Sequence, residues 1–440
     1  MMAHRLRSFD VTMLVISLVI GIGIFRTPQL VAAQAGTVPL FALAWVLGAV
    51  FSMCGALTFA RIGTLHPVTG GFYSIFSACY HPGFAFAMNW SLVVTNAASM
   101  AGVALIGAEY LAPVIIHGTV EKWHLDAIVV TTVLALYLVN VGGLRMGARA
   151  QNLLSLLKVI LILGLCAVVI VAPGNPQPAL VSSTASSAPW YLALGTALIS
   201  VFFTYGGYQS TINIGADVER PTTTFPRGII SAMLIVLLLY GCANLAYLNV
   251  LGFETMKTSP LVAAALATEL FGENGMRVTA LIIVVSVIGF LNSGLICLPQ
   301  TMTAMAEDGM LPSYFSRVTH GDGVSSRTLT VFTVLMLIQY LALGTFQRLL
   351  NYVMFTDSLS LAFGAACVFV LARGKDSSDS VPTRILNTLA PLLFIAIMLV
   401  VTVNVTMAEP MNAIAGIVVF SAGSAAFLLR RRWILKGKKI

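Results

Sequence analysis

"SLVIGIGIFRTPQLV", residues 17–31, lies in the first long apolar run of the chain. Gly21, Gly23 and Pro28 interrupt the run, and Arg26 follows the glycines. A plain membrane anchor avoids all of these. In hydrocarbon every backbone amide needs a partner, so a broken helix survives only where it is buried in protein or lines a cavity. The stretch therefore points to a site. Close helix packing at small residues is the other reading that one such break allows.

The surroundings place the break in lipid. Of 440 residues, 58% are hydrophobic and 9% charged, with a mean hydropathy of +0.94. Soluble domains carry roughly 25% charged residues. The apolar runs are about 20 residues long, the length that crosses a bilayer as helix. The ~10-residue alternating segments of a barrel do not occur. Twelve spans are expected at 11–33, 38–62, 83–115, 125–142, 148–172, 190–215, 228–251, 275–304, 328–346, 350–372, 384–406 and 410–430. Residues 64–82 read as a short surface helix or loop. The N-terminal "MMAHRLRSFD" is basic, but no small-residue cleavage site follows, so it reads as part of a mature helix.

Charge orients the spans. With the N-terminus inside, eighteen of the 24 Lys and Arg fall in inner loops and tails, including Arg430, Arg431 and Arg432. Lys122, Lys257, Arg277 and Arg348 fall outside. Both termini are expected in the cytoplasm, in a cell (inner) membrane. The net charge of +8 then reports topology rather than nucleic-acid binding. The basic tail reads as a stop signal, with contact to anionic lipid as the alternative. The six cysteines show no metal-ligand spacing and read as packing residues, and no metal or cofactor is expected.

A second break occurs in "LISVFFTYGGYQSTINIGADVERP", residues 198–221, where Gly206 and Gly207 interrupt span 6. Spans 1 and 6 correspond if spans 1–5 and 6–10 are two repeats. Paired glycine-interrupted helices in corresponding positions point to a transporter site built from inverted repeats. A half-helix N-terminus offers amide donors to a carboxylate, and the C-terminal end of the preceding half offers carbonyls to an ammonium. A zwitterionic amino acid carries both groups. The expected organisation is one polytopic domain over 1–440, with repeats at about 10–172 and 190–373 and extra helices at about 384–430.

Six stretches resemble the amino acid–polyamine–organocation superfamily, in particular its L-amino-acid transporter-like branch. "GIGIF" at 21–25 is similar to G-S-G-I-F, and "FTYGGY" at 203–208 to F-A-Y-G-G-W. "DVERPTTTFPRGI" at 217–229, "GFLNSGL" at 289–295 with "EDGMLP" at 307–312, and "NYVMFTDSL" at 351–359 follow in family order. The resemblance implies the leucine-transporter fold, all-α, with five-plus-five inverted repeats and two further helices. It implies that amides around Gly21, Ile22, Gly23 and Ile24 hold the substrate carboxylate. Carbonyls of Val19, Ile20 and Phe203 would hold the amino group. Phe203 would also gate the site, at the break marked by Gly206, with Tyr208, Asn96 and Phe355 lining the side-chain pocket.

Lys158 lies within span 5. An intramembrane lysine is a functional hypothesis by default. A helix starting near Gly147 would put it roughly 16 Å deep, and one starting after Asn152 only ~9 Å, within snorkelling reach. The resemblance implies that its ammonium replaces a sodium ion, donating to carbonyls near Gly21 and to Ser293, so that transport needs no sodium. It also suggests a gate between Arg26 and Asp357, the latter standing where the branch has asparagine. Ser358 stands where the branch has tryptophan. Asp357 alternatively attracts a cationic substrate or carries a proton. Asp217, Glu219 and Arg220 read as solvated loop charges, with pairing to other loops as the alternative.

The reading is thus a sodium-independent exchanger of neutral amino acids. Proton symport, or transport of cationic amino acids or polyamines, is the alternative. A channel would want rings of like groups from repeated subunits. No HExxH, paired catalytic carboxylates, Cys–His set or GxxxxGK[ST] loop supports an enzyme or an ATP-driven pump. No cysteine falls in a predicted outer loop, so no obligatory glycoprotein partner is expected.

Overall fold

The computed structural model describes residues 6–66, 71–142, 160–167, 189–316, 325–373 and 381–437. Among these residues the chain is helical, with one isolated bridge between Leu6 and Val218 and no strand. Nine helices among the described residues are long and apolar enough to cross a membrane. Two shorter apolar helices, Ser8–Val19 and Trp190–Tyr205, are what the two breaks leave of spans 1 and 6. At 1.5 Å per residue they reach only about 18 and 24 Å, short of a ~30 Å hydrocarbon core.

The described helices are α1 (Ser8–Val19), α2 (Thr27–Ala35), α3 (Val38–Leu65), α4 (Gly71–Cys79), α5 (Pro82–Ile115), α6 (Lys122–Val141), α7 (160–167), α8 (Trp190–Tyr205), α9 (Pro221–Leu251), α10 (Phe253–Thr258), α11 (Val262–Cys297), α12 (Gln300–Glu307), α13 (Ser326–Leu343), α14 (Phe346–Leu371), α15 (Val381–Ala408) and α16 (Pro410–Gly437). Proline in the first turn fits α2, α3, α5 and α9, because that position has no helical acceptor for an N–H. Helix α4 occupies the expected short surface segment. Most of span 5, with Lys158, lies outside the described residues. Non-helical backbone at Gly272 divides α11 into 262–271 and a longer part from 273, which begins close to the start expected for span 8 at 275.

The chain forms two compact units. The first comprises the described parts of Met1–Cys79, Lys158–Thr279 and Ser358–Ala408, and the second those of Tyr80–Leu157, Ala280–Asp357 and Glu409–Ile440. Each unit combines segments from both halves of the chain. In the first, α1 packs on α9, α2 on α8, and α3 on α8, α9 and α15. In the second, α5 packs against α6, α12, α13 and α16. Helix α5 is buried along most of its length, while α6 buries only Val129 and Val133 and presents Trp123, Leu134 and Leu138 outward.

Helix α3 approaches its neighbours through small residues. A Cβ at Gly55 would stand 2.5 Å from Phe394 Cε2 and 2.8 Å from Tyr208 Oη. Overpacking of this kind costs about 1–3 kcal/mol. Gly55→Ala is therefore expected to lower the melting temperature in detergent by several degrees. An unchanged melting curve would show that the α3–α15 contact yields freely.

Candidate functional site

Both breaks lie in the first unit. Helix α1 ends at Val19, and the Ile20 amide still bonds Ile16 O at 2.8 Å. Ile20 then leaves helical geometry (φ −70°, ψ 89°). A short 3-10 turn, Gly23–Phe25, follows and leads into α2. The turn uses the Ile22 and Gly23 carbonyls, which accept from the Phe25 amide at 3.1 Å and the Arg26 amide at 2.9 Å. The amides of Ile22, Gly23 and Ile24 meet no acceptor among the described residues. All three residues are buried. Buried amides without a partner are rare in proteins and mark a place where a ligand oxygen is wanted.

Helix α8 ends at Tyr205. The Gly206 amide bonds Phe203 O at 3.3 Å, and the Gly207 amide donates to Gln209 Oε1 at 2.8 Å. Gly207 takes φ +117°, and a 3-10 segment, Tyr208–Asp217, carries the chain onward. Gly207 lies directly on the end of α1. A Cβ there would overlap Leu18 O and stand 2.8 Å from the Leu18 carbonyl carbon. The two broken helices therefore meet backbone to backbone.

Two side-chain contacts join them, and a third ties α9 to span 1. The Tyr240 hydroxyl, on α9, donates to Val19 O at 3.1 Å and lies 3.4 Å from Thr204 O, so one buried phenol serves the carbonyl ends of both half-helices. Two turns on, the Tyr247 hydroxyl reaches Ile24 O at 3.4 Å. The Thr27 and Thr204 hydroxyls are 2.5 Å apart. The rings of Trp45 and Tyr205 pack on Tyr240 at 6.1 and 5.2 Å. Tyr240, Tyr247, Thr27 and Thr204 were not singled out from the sequence. The available signal was polar residues at 240, 244 and 247, one stripe of an otherwise apolar helix.

The other expected residues fall as follows. Phe203 is half-buried beside the span 6 break. Tyr208 is buried, its ring between Phe59 and Phe394 at 6.3 Å from each, which commits the ring to packing. Arg26 is buried and its guanidinium bonds Gln29 Oε1 at 2.6 Å; Gln29 in turn donates to Lys257 O at 2.7 Å. Ser358 meets the Thr402 hydroxyl on α15 at 2.7 Å. Glu219 pairs with Arg7 at 3.7 Å, next to the bond from the Glu219 amide to Leu6 O.

Four expected residues belong to the second unit. Asn96 is half-buried on α5, and Ser293 donates to Gly289 O at 3.1 Å within its own helix. The Phe355 ring lies against α16, where a Cβ at Gly416 would stand 2.6 Å away. Asp357 is half-buried, with no hydrogen bond or ion pair among the described residues.

Comparison with known proteins agrees with this architecture. Residues 6–422 match the amino acid permease family. The serine/threonine exchanger SteT of Bacillus subtilis is 28% identical over 393 residues, covering 87% of this chain and 86% of that protein. The human cystine/glutamate transporter is 24% identical over 432 residues (96% and 84%). The rabbit (Oryctolagus cuniculus) large neutral amino acids transporter small subunit 2 is 26% identical over 441 residues (97% and 80%). With two broken helices meeting in one unit and the family match spanning nearly the whole chain, the protein belongs to the amino acid permease family of the amino acid–polyamine–organocation superfamily and is a multi-pass amino acid transporter.

Proposed function

We propose that this transporter exchanges neutral amino acids without sodium, holding the substrate at the two breaks. The observation that carries the reading is the set of buried amides at Ile22, Gly23 and Ile24 that meet no acceptor among the described residues. A carboxylate satisfies them without a charged side chain, helped by the partial positive charge at the start of α2. The ammonium sits at the C-terminal carbonyls of the preceding halves: Ile20 O, and the second lone pairs of Val19 O and Phe203 O. Phe203, beside the span 6 break, covers the substrate. The apolar residues among these favour a neutral side chain. The names of the Bacillus serine/threonine exchanger and the neutral amino acid transporter subunit support exchange and a neutral substrate. Sodium independence rests on Lys158 in span 5, and the loop charges support cytoplasmic termini in the cell membrane. Inverted repeats at 10–172 and 190–373 are supported by the way each compact unit draws on both halves.

A second reading, proton symport or a cationic substrate, rests on Asp357. A carboxylate without a partner inside an apolar helix either takes a proton or finds a cation.

Purified protein in sodium-free liposomes separates the two. Labelled serine, alanine, leucine, glutamate and arginine are followed with and without unlabelled amino acid inside, at matched and unmatched pH. Neutral uptake that requires internal substrate is the expected result. Uptake into empty vesicles driven by an acid exterior would replace exchange with proton symport. A requirement for sodium would overturn the role given to Lys158.

A further inference from the structure

We infer that Thr204 acts as a positioning residue for the substrate carboxylate, through Thr27 and the peptide between Gly23 and Ile24. The inference rests on the reading that the span 1 amides hold that carboxylate. Thr204 stands where the resembling F-A-Y-G-G-W motif has alanine, so the hydroxyl is a feature of this chain.

The geometry sets a proton count. Thr27 Oγ1 lies 2.9 Å from Gly23 O, Thr204 Oγ1 lies 2.8 Å from Ser200 O, and the two hydroxyls are 2.5 Å apart. Three contacts share two protons, because each hydroxyl donates once. One arrangement has Thr27 donating to Thr204, which leaves Gly23 O with the Arg26 amide alone. The other has Thr204 donating to Thr27 and Thr27 to Gly23 O. The second forms a continuous chain from span 6 to the Gly23 carbonyl. That carbonyl belongs to the same peptide as the Ile24 N–H, one of the three unpartnered amides.

Hydrogen bonds in such chains polarise one another, and a peptide whose oxygen accepts more strongly has a more acidic N–H. A carboxylate at the Ile24 amide therefore favours the second arrangement, which in turn strengthens its own hold. Burial preserves the effect: Thr27 is fully buried and Thr204 is 3% exposed. The contact is also steric. A Cβ at Gly23 would stand 3.2 Å from Thr204 Cγ2, so Thr204 sets how closely the turn approaches α8. Valine at 204 keeps that volume and removes the proton.

The test uses the full-length protein, a labelled amino acid that the wild type transports, and that amino acid's carboxamide as competitor. Thr204→Val is expected to weaken equilibrium binding of the amino acid about 3- to 10-fold, the size of one ordinary net hydrogen bond. The preference for the acid over its carboxamide should fall with it, while maximal uptake changes less than about twofold. Thr204→Ser should restore wild-type affinity, and melting curves establish that each variant is folded. Wild-type affinity and wild-type carboxamide discrimination in Thr204→Val would overturn the inference, as would a Thr204→Ser protein no better than Thr204→Val. A wild type that binds acid and carboxamide equally would instead overturn the carboxylate site itself.

Discussion

Gly207→Ala is expected to abolish uptake, to below about 1% of wild type, while Gly206→Ala keeps a substantial fraction. The two glycines are adjacent, so the contrast isolates geometry from composition. Gly206 has φ −59°, which alanine adopts without strain, and the nearest atom to a Cβ there is Phe203 O at 3.2 Å. Gly207 has φ +117°, where an L side chain costs about 1–3 kcal/mol. Its Cβ would also overlap Leu18 O and crowd the Leu18–Val19 peptide, which is backbone and cannot rotate aside. The last turn of α1 must move, taking with it Val19 O, the Tyr240 bond and the path to the Ile22–Ile24 amides. Strain and displacement together exceed ~3 kcal/mol, or more than a hundredfold in the population of the competent arrangement. The check is initial uptake in liposomes at matched protein density, with a binding assay on the same preparations. Equal impairment of both variants would mean that the positive φ and the backbone contact are not what the site needs.

The breaks were legible because helices in lipid have few uses for glycine. Gly21 and Gly23 in one apolar run, and Gly206 and Gly207 in another at the corresponding place, marked both interruptions before any coordinates. What could not be read is which of the four glycines touches the other helix. That depends on how α1 and α8 cross: Gly207 sits on Leu18 and Gly23 faces Thr204, while Gly21 and Gly206 meet only their own segments. The helical stretch 262–271, just before the break at Gly272, is not legible for a related reason: the longer hydrophobic run downstream dominates any hydropathy reading. The N-terminal segment offers a third case. Glu219 reads as a solvated charge or a partner for another loop, and the structure shows both: it lies 3.7 Å from Arg7 with the two side chains exposed, beside the bridge between Leu6 and Val218.

Side chains were less legible than backbone. Tyr208 follows the span 6 break directly and was expected in the pocket. The 3-10 path after Gly207 instead sends its ring between Phe59 and Phe394. Asp357 stands out as a charge in an apolar helix, and having no hydrogen bond or ion pair among the described residues keeps it of interest for proton coupling. Tyr240 was passed over, since one tyrosine in "LLLYGCANLAY" reads as core and its partners come from helices more than 30 residues away in sequence.

That residue carries the second large expected effect: Tyr240→Phe should lower maximal uptake about tenfold or more with the protein still folded. The substitution keeps the ring, and with it the packing against Trp45 and Tyr205. It removes a single proton that two buried carbonyls share, Val19 O at 3.1 Å and Thr204 O at 3.4 Å. Each carbonyl lies at the C-terminal end of a half-helix, where partial negative charge accumulates. With the phenol gone, the two ends face one another unscreened, and leaving a buried acceptor unmet costs about 1–3 kcal/mol. The half-helices then separate or admit water. Because the substrate's ammonium is itself placed at Val19 O, binding should suffer less than turnover: the ligand restores in the loaded state part of what the mutation removed from the empty one. The empty transporter must also pass between its two faces if it is to work as a uniporter or symporter, whereas an exchanger crosses loaded. Exchange at saturating internal substrate should accordingly be impaired less than exchange at low internal substrate. An equal loss in both conditions would place the defect in the loaded carrier. Wild-type rates in both would show that the hydroxyl does not hold the two breaks together.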